Sequence, residues 1–504
     1  MLRRLAVNTL ITGTSFLVTG LVPLLLIPLF LDQYGVAEYG LLVLARLLLP
    51  TAVLAVFDFG LSELASFAVA KGRHADSWDI ASRYLSGLLL IAAIAGLAAA
   101  LMLNVFAPLI VSLFHAPPGA QSGFRHLILA TSIAFPILLL SLLAEGVLKG
   151  FEDFKRLRAL EVLSTLLYAG AAVLAVAWRL SFEWIGFVYL AYGVVKAVLI
   201  CSLAVAMLSR RRAIFGLPDR AEWRDLRLRS VPLGFNRMIG VGQGHAAPVL
   251  IGAILGSAAV GFYDLVVRIP RFLKIVTGVL NSAVLPIVMR LDEAGDKAGV
   301  QRLFQMGLLG VLCIVTPLVA WGMSFSEAML RLWVSERYSV LWSWQALMFA
   351  WPLVNAITSF TCGGLLGRHR FVSALNWIVL GQIVVQIGTS MLLLPYIREQ
   401  SFVVGQILAV CGSLPLQLWL VSRECDLHLV DFKRHFACIV LFAVVVAACL
   451  ALDVSAFVHA GAQLILSLAI WCGASGLVIW AVLMNHAERQ AVRAIVRRRL
   501  GRPA

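Results

Sequence analysis

Long apolar runs alternate with short polar connectors about fourteen times along this 504-residue chain, and four cations sit inside runs that otherwise read as membrane-spanning. These are Arg46, Arg268, Arg271 and Lys274. On insertion scales a charge near the bilayer centre costs roughly 2.5–3.5 kcal/mol, so four facing lipid would cost on the order of 10 kcal/mol. Such residues must face a wet or anion-filled interior. The pattern predicts a polytopic transporter with a cationic interior suited to an anionic cargo.

Composition places the chain in the membrane class. It is 61% hydrophobic and 13% charged, against about 45–50% apolar and 25% charged for soluble domains. The net charge of +15 does not point to nucleic acid, because the basic residues lie in short connectors, where they orient a membrane protein. The eight cysteines are scattered without a CxxC pair and the nine histidines lack ligand spacing. Neither a disulfide framework, a metal site nor a cofactor is expected. The apolar stretch from Leu5 to Leu31 is too long for a signal peptide and has no small-residue cleavage site after it, so it reads as an uncleaved first span.

A span needs about 20 mostly apolar residues. Fourteen are expected, beginning with 5–31, 40–62 and 84–107 and ending with 435–452 and 461–484. The count falls to thirteen or twelve if a late span is re-entrant. With the N-terminus inside, 30 of the 41 lysines and arginines fall on the inner side and 5 on the outer. That bias places both termini in the cytoplasm.

The longest polar connector, 209–230, follows the sixth span. It reads as a cytoplasmic linker between two lobes, whose apolar residues could lay it on an anionic leaflet, or as a plain positive-inside loop. The C-terminal tail from 488 reads as a basic amphipathic helix. The segments Val36-Ala-Glu-Tyr-Gly and Val260-Gly-Phe-Tyr-Asp each open a span that carries arginine, 224 residues apart between Tyr39 and Tyr263. This predicts two parallel six-span lobes. The expected organisation is an N-lobe at 1–208, the linker at 209–230, a C-lobe at 231–421, and two further spans with a tail at 422–504.

In the eighth span, 259–289, Arg268 lies near mid-bilayer, with Arg271 and Lys274 following at spacing three. Asp264 precedes Arg268 by four residues, at ion-pair spacing. Pro270 can kink the helix there. Arginine binds phosphate and carboxylate oxygens in bidentate fashion. The candidate anion-binding residues are therefore Arg46, Arg268, Arg271, Lys274 and, near the inner end of span seven, Arg237. Tyr39, Tyr263 and Asp264 would support them. The competing reading is that these cations snorkel or pair internally and only stabilise the bundle; Lys196 and Arg237 invite it most. Acids lie toward span ends, so no proton or sodium site is assigned. Pro23, Pro28, Pro50, Pro136, Pro286 and Pro352 mark candidate bends, either hinges or ordinary curvature. Enzymatic motifs are absent, and no catalytic residue is assigned.

The segments LDQYGVAEYGLL at 31–42, FDFGLSELASFAVAKGR at 57–73, LGSAAVGFYDLVVRI at 255–269 and LPIVMRLDEAGDKAGVQRLF at 285–304, with Asn8 opening span one, resemble the oligosaccharide (O-antigen and exopolysaccharide) flippases of the MATE-like MOP superfamily. The resemblance implies a cargo of undecaprenyl-pyrophosphate-linked oligosaccharide, moved from the cytoplasmic to the periplasmic leaflet. It also implies rocking lobes around a central cavity lined by Arg46 and Arg268. Partners would be the lipid-linked oligosaccharide, membrane lipids, and polysaccharide polymerase and chain-length machinery, with no nucleic acid. Competing readings are the related lipid II flippase, a MATE-type drug exporter, which would want acids in the cavity, and a polysaccharide polymerase or ligase, which would need a large outer loop.

Overall fold

Large and small apolar side chains segregate along the helix α4 (Trp78–Leu113). Ile94, Leu97, Leu101, Val105 and Leu109 recur every three or four residues and are exposed, while Ala92, Gly96, Ala99, Leu103 and Ala107 are buried. This is the reverse of a water-soluble helix. The outer face offers bulk to lipid, and the inner face offers small residues that let helices approach closely. Gly96 sits so near α5 (Gln121–Gly150) that a Cβ there would lie 2.9 Å from the Cα of Pro136.

The computed structural model describes residues 2–47, 52–75, 78–210, 216–281, 287, 288, 291, 294–365, 369–425, 433–483 and 489. Among them there are helices and turns but no strand. Eleven helical segments are long and apolar enough to cross a membrane, and one of these, 370–425, holds two successive helices, α14 (His369–Ile397) and α15 (Ser401–Cys425). The chain is an all-α, multi-pass membrane protein. Pro50, Pro286, residues 211–215 of the basic connector and the tail beyond 489 lie outside the described residues, as does most of 282–293.

The chain forms two compact units. The first holds residues 1–268 and 379–402, the second 269–378 and 403–504. In the first, α1 (Leu2–Arg46), α2 (Ala52–Phe57), α3 (Leu61–Ala75), α4 and α5 are followed by α6 (Phe154–Ala177), α7 (Phe182–Ser209) and α8 (Arg220–Leu255). α5 packs along α4, α3 and α7, and α1 packs along α6. α9 (Ser257–Asn281) opens in this unit, and the division falls within it, after Arg268.

The second unit is organised on α10 (Lys297–Ser324), which packs against α13 (Ala350–Gly364), α16 (Lys433–Ala451) and α17 (Gly461–Val478). Phe304, Leu308, Leu312 and Val315 of α10 form its buried core with Ile357 and Phe360 of α13. The Trp471 indole donates to the carbonyl of Pro317, 2.9 Å away, tying α17 to α10.

Several boundaries depart from the sequence expectation. The break in the first helix falls at Gly35 (φ +72°, ψ 176°), while Pro23 and Pro28 lie inside helical turns. A positive φ is nearly free for glycine and costly for other residues. The expected second span, 40–62, ends in a turn at Asp58–Gly60, and the polar residues after it form α3. The linker 209–230 is helical from Arg220 onward, as the first turns of α8. The expected tenth span, 341–366, is split into α12 (Trp342–Met348) and α13, whose third residue is Pro352, and the connector before it holds the short helix α11 (Ser326–Trp333). Proline is tolerated in a first turn because the N–H it lacks has no intrahelical acceptor there.

Candidate anion-binding site

Two glycines bring the two tyrosine-bearing segments together. Residues 36–46, beyond the Gly35 break, run against the start of α9. A Cβ on Gly40 would overlap the carbonyl oxygen of Ser257, and one on Gly261 would press on the carbonyl of Val36. The sequence pairing of Val36–Gly40 with Val260–Asp264 is thus a physical contact inside the first unit.

That contact aligns Tyr39 with Asp264 and Arg268. Tyr39 is fully buried and Asp264 is 2% exposed. One carboxylate oxygen, Oδ2 of Asp264, accepts from the Tyr39 hydroxyl at 2.5 Å and from Arg268 Nε and Nη2 at 3.0 and 2.6 Å. Arg268 Nη2 also lies 3.4 Å from the Tyr39 oxygen. A buried charge must be paired and hydrogen-bonded to be tolerated, and this triad does both. It also fixes the guanidinium plane. Arginine has five N–H donors, and the two on Nη1 of Arg268 have no partner among the described residues.

Arg46, in the last turn of α1, is held differently. Its Nη2 donates to the Tyr168 hydroxyl at 2.5 Å, and its guanidinium lies 5.7, 5.9 and 5.3 Å from the ring centres of Phe30, Tyr168 and Tyr189. Tyr189 and Tyr192, one turn apart on α7, pack on Tyr168 of α6. Contacts with ring faces hold a guanidinium without neutralising it. Arg46 and Arg268 act on each other electrostatically, and both act on Tyr39. With Asp264 balancing one arginine, these groups carry a formal +1.

The other candidates have different surroundings. Arg237 of α8 is met by Asp58 at 3.3 Å and by Glu63, both at the α2–α3 turn. Tyr263 is buried beside Asp264 in sequence. Arg271 and Lys274 lie in the second unit, where the Lys274 ammonium sits 4.5 Å from the Trp351 ring centre. Arg271 forms no ion pair among the described residues.

Two groupings escape a reading by composition. The first is the tyrosine cage around Arg46; the aromatics at 189 and 192, a helical turn apart in an apolar run, were its trace. The second is a charged network inside the first unit. Lys196 of α7 reaches Glu145 of α5 at 3.4 Å and Glu161 of α6 at 3.9 Å, Arg158 binds Glu161 at 2.6 Å, and Lys149 sits 3.7 Å from Glu145. Lys196 is therefore paired internally and does not snorkel. Acids near the ends of α5 and α6 in sequence meet a lysine in mid-helix.

A bundle of apolar helices with half-buried arginines held in its interior defines a polytopic membrane protein. Solved structures share the fold. A lipid II flippase MurJ in an inward closed conformation matches with a TM-score of 0.69 at 12% identity, over 95% of this chain and 100% of that one. An inward-facing multidrug resistance MATE family transporter of the MOP superfamily matches with a TM-score of 0.61 at 17% identity, over 83% and 94%. Residues 5–292 match the family described as "Polysaccharide biosynthesis protein", and the chain belongs to that family. A curated protein of Shigella flexneri named "Putative O-antigen transporter" is 22% identical over 299 residues, which cover 56% of this chain. The match spans 66% of that relative's length, just under two thirds.

Proposed function

We propose that this protein is a flippase for undecaprenyl-pyrophosphate-linked oligosaccharide, carrying the repeat unit of a surface polysaccharide from the cytoplasmic to the periplasmic leaflet of the bacterial inner membrane. The observation that carries this reading is the pair of arginines held in the interior of the first unit, one by aromatic faces and one by a carboxylate that leaves its Nη1 donors available. A pyrophosphate offers several oxygens in the spacing that such donors engage. Family membership and the O-antigen transporter relative support the substrate class.

In this reading Arg46 and Arg268 meet the pyrophosphate. Arg271 and Lys274 extend the row of cations along α9, and Tyr39, Tyr263 and Asp264 position Arg268. Arg237 is offset by two acids, Asp58 and Glu63, and serves to hold the α2–α3 turn more than to meet the cargo. The N-lobe (1–208) and C-lobe (231–421) alternate access, with 422–504 as an accessory segment. Each negative charge moving outward across an inside-negative membrane gains about 2.3 kcal/mol per 100 mV, so the potential favours export.

The test is flipping of a fluorescent undecaprenyl-pyrophosphate oligosaccharide in proteoliposomes. Wild type should flip it. Arg46→Ala and Arg268→Ala should each slow it by about tenfold or more, since a charge-assisted contact is worth roughly 1.5–3 kcal/mol, while inserting and eluting normally. Normal flipping by both variants would remove the arginines from the cargo site. Wild type inactive on lipid-linked glycans yet active on organic cations would replace this reading with a drug exporter.

A further inference from the structure

A second cationic site lies at the start of α8. A cavity of about 500 Å³ is lined there by Arg220, Trp223, Arg224, Arg227, Ser230 and Val231 of α8, with Ile91 of α4 and Phe59 of the α2–α3 turn. At 100° per residue, positions 220, 224, 227 and 231 fall within about 60° of one another on the helix. The three arginines are exposed, and none forms an ion pair among the described residues. The two nearby acids are occupied elsewhere: Glu222 binds Arg83 at 2.9 Å, and Asp225 binds Tyr84 at 2.8 Å and Arg229 at 3.0 Å.

The helix is anchored so that this face stays open. Asp219 and Glu222 form a reciprocal capping box. On the opposite side Leu226 and Pro218 press on Gly87 of α4. Depth follows from length. The 36 residues of α8 span about 54 Å at 1.5 Å per residue, whereas the hydrocarbon core is about 30 Å thick. Some of the helix must therefore leave the core, and the end that carries Arg220, Arg224, Arg227 and Arg229 is the one that charge keeps out of hydrocarbon and in the headgroup layer. Leu228, Val231 and Phe235 follow as exposed apolar residues, the sequence of environments that a lipid meets from phosphate to acyl chain.

We propose that this groove is a binding site for an acidic phospholipid of the surrounding leaflet, its phosphate held by Arg220, Arg224 and Arg227 and its upper acyl carbons laid on Trp223, Ile91 and Val231. The site is distinct from Arg46 and Arg268 and does not depend on the cargo reading. Charge complementarity selects the ligand. Three unpaired guanidiniums favour a net-negative headgroup over a zwitterionic one, by an amount that adds per cation near the membrane surface.

The experiment is native mass spectrometry of the full-length protein released from nanodiscs containing equal phosphatidylglycerol and phosphatidylcholine. Wild type should retain phosphatidylglycerol selectively. In the R220Q/R224Q/R227Q variant that selectivity should fall by at least about tenfold. A K155Q/R156Q/K297Q control, which removes the same charge from other exposed positions, should keep it. Unchanged retention by the first variant, or equal loss by the control, would overturn the proposal. So would displacement of phosphatidylglycerol from wild type by undecaprenyl pyrophosphate through these same arginines, which would make the groove a cargo site.

Discussion

Asp264 takes three hydrogen bonds on a single oxygen, and that sets what its substitution must do. Asp264→Asn leaves the half-buried Arg268 beside Tyr39 with its charge unbalanced, and losing a charge-assisted hydrogen bond there should cost about 1.5–3 kcal/mol. Thermal unfolding in detergent should register the loss. Tyr39→Phe should cost about 1 kcal/mol, and the double variant should show coupling, because the two groups share one network. Gly40 makes a second demand. A methyl group there meets the Ser257 carbonyl, so Gly40→Ala should destabilise by about 3 kcal/mol. Gly240→Ala, where nothing lies within 4 Å, should be neutral or stabilise by about 0.5–1 kcal/mol. Equal effects of the two would contradict the close packing of the 36–46 segment on α9. The cations of this site were legible in the sequence because charge inside an apolar run is costly. The Asp264–Arg268 spacing was legible too. The cage around Arg46 was not, because Tyr168 and Tyr189 come from helices more than a hundred residues away, and nothing in their local sequence marks which apolar face they share.

Elements were legible where the apolar run was uninterrupted and least so where polar residues continued a helix. Residues 61–75 read as a connector because they carry Lys71 and Arg73, yet they form α3: helical geometry needs only propensity and a packed face, which Leu64, Ala65, Ala68 and Val69 supply. The start of α8 was written in plain local code as Asp219-x-x-Glu222, a capping box, and was masked by the surrounding arginines. Its contribution can be measured. Asp219→Ala should cost about 1 kcal/mol and speed hydrogen exchange at the backbone amides of Arg220–Trp223, leaving α5 and α7 unaffected. Unchanged exchange in those turns would mean that Arg83 and Gly87, rather than the cap, hold the helix start.

For the whole molecule, the distribution of lysine and arginine fixes the expected orientation. A cysteine placed at Gly119, in the turn after α4, should react with a membrane-impermeant maleimide from the periplasmic side of a cysteine-free background. One at Leu217 should react only after the inner membrane is opened. The reverse pattern would invert the expected topology and with it the proposed direction of transport. The family places the chain among polysaccharide biosynthesis proteins, and the function proposed above assigns the interior arginines to the charge of the cargo. The measurement that meets this claim most directly compares flipping of one oligosaccharide on two lipids, undecaprenyl pyrophosphate and an uncharged isostere. Wild type should move the pyrophosphate form at least about tenfold faster, a margin of roughly 1.4 kcal/mol, and the Arg46→Gln/Arg268→Gln variant should lose the distinction. Equal rates for both lipids in wild type would show that the cationic interior does not read the cargo's charge.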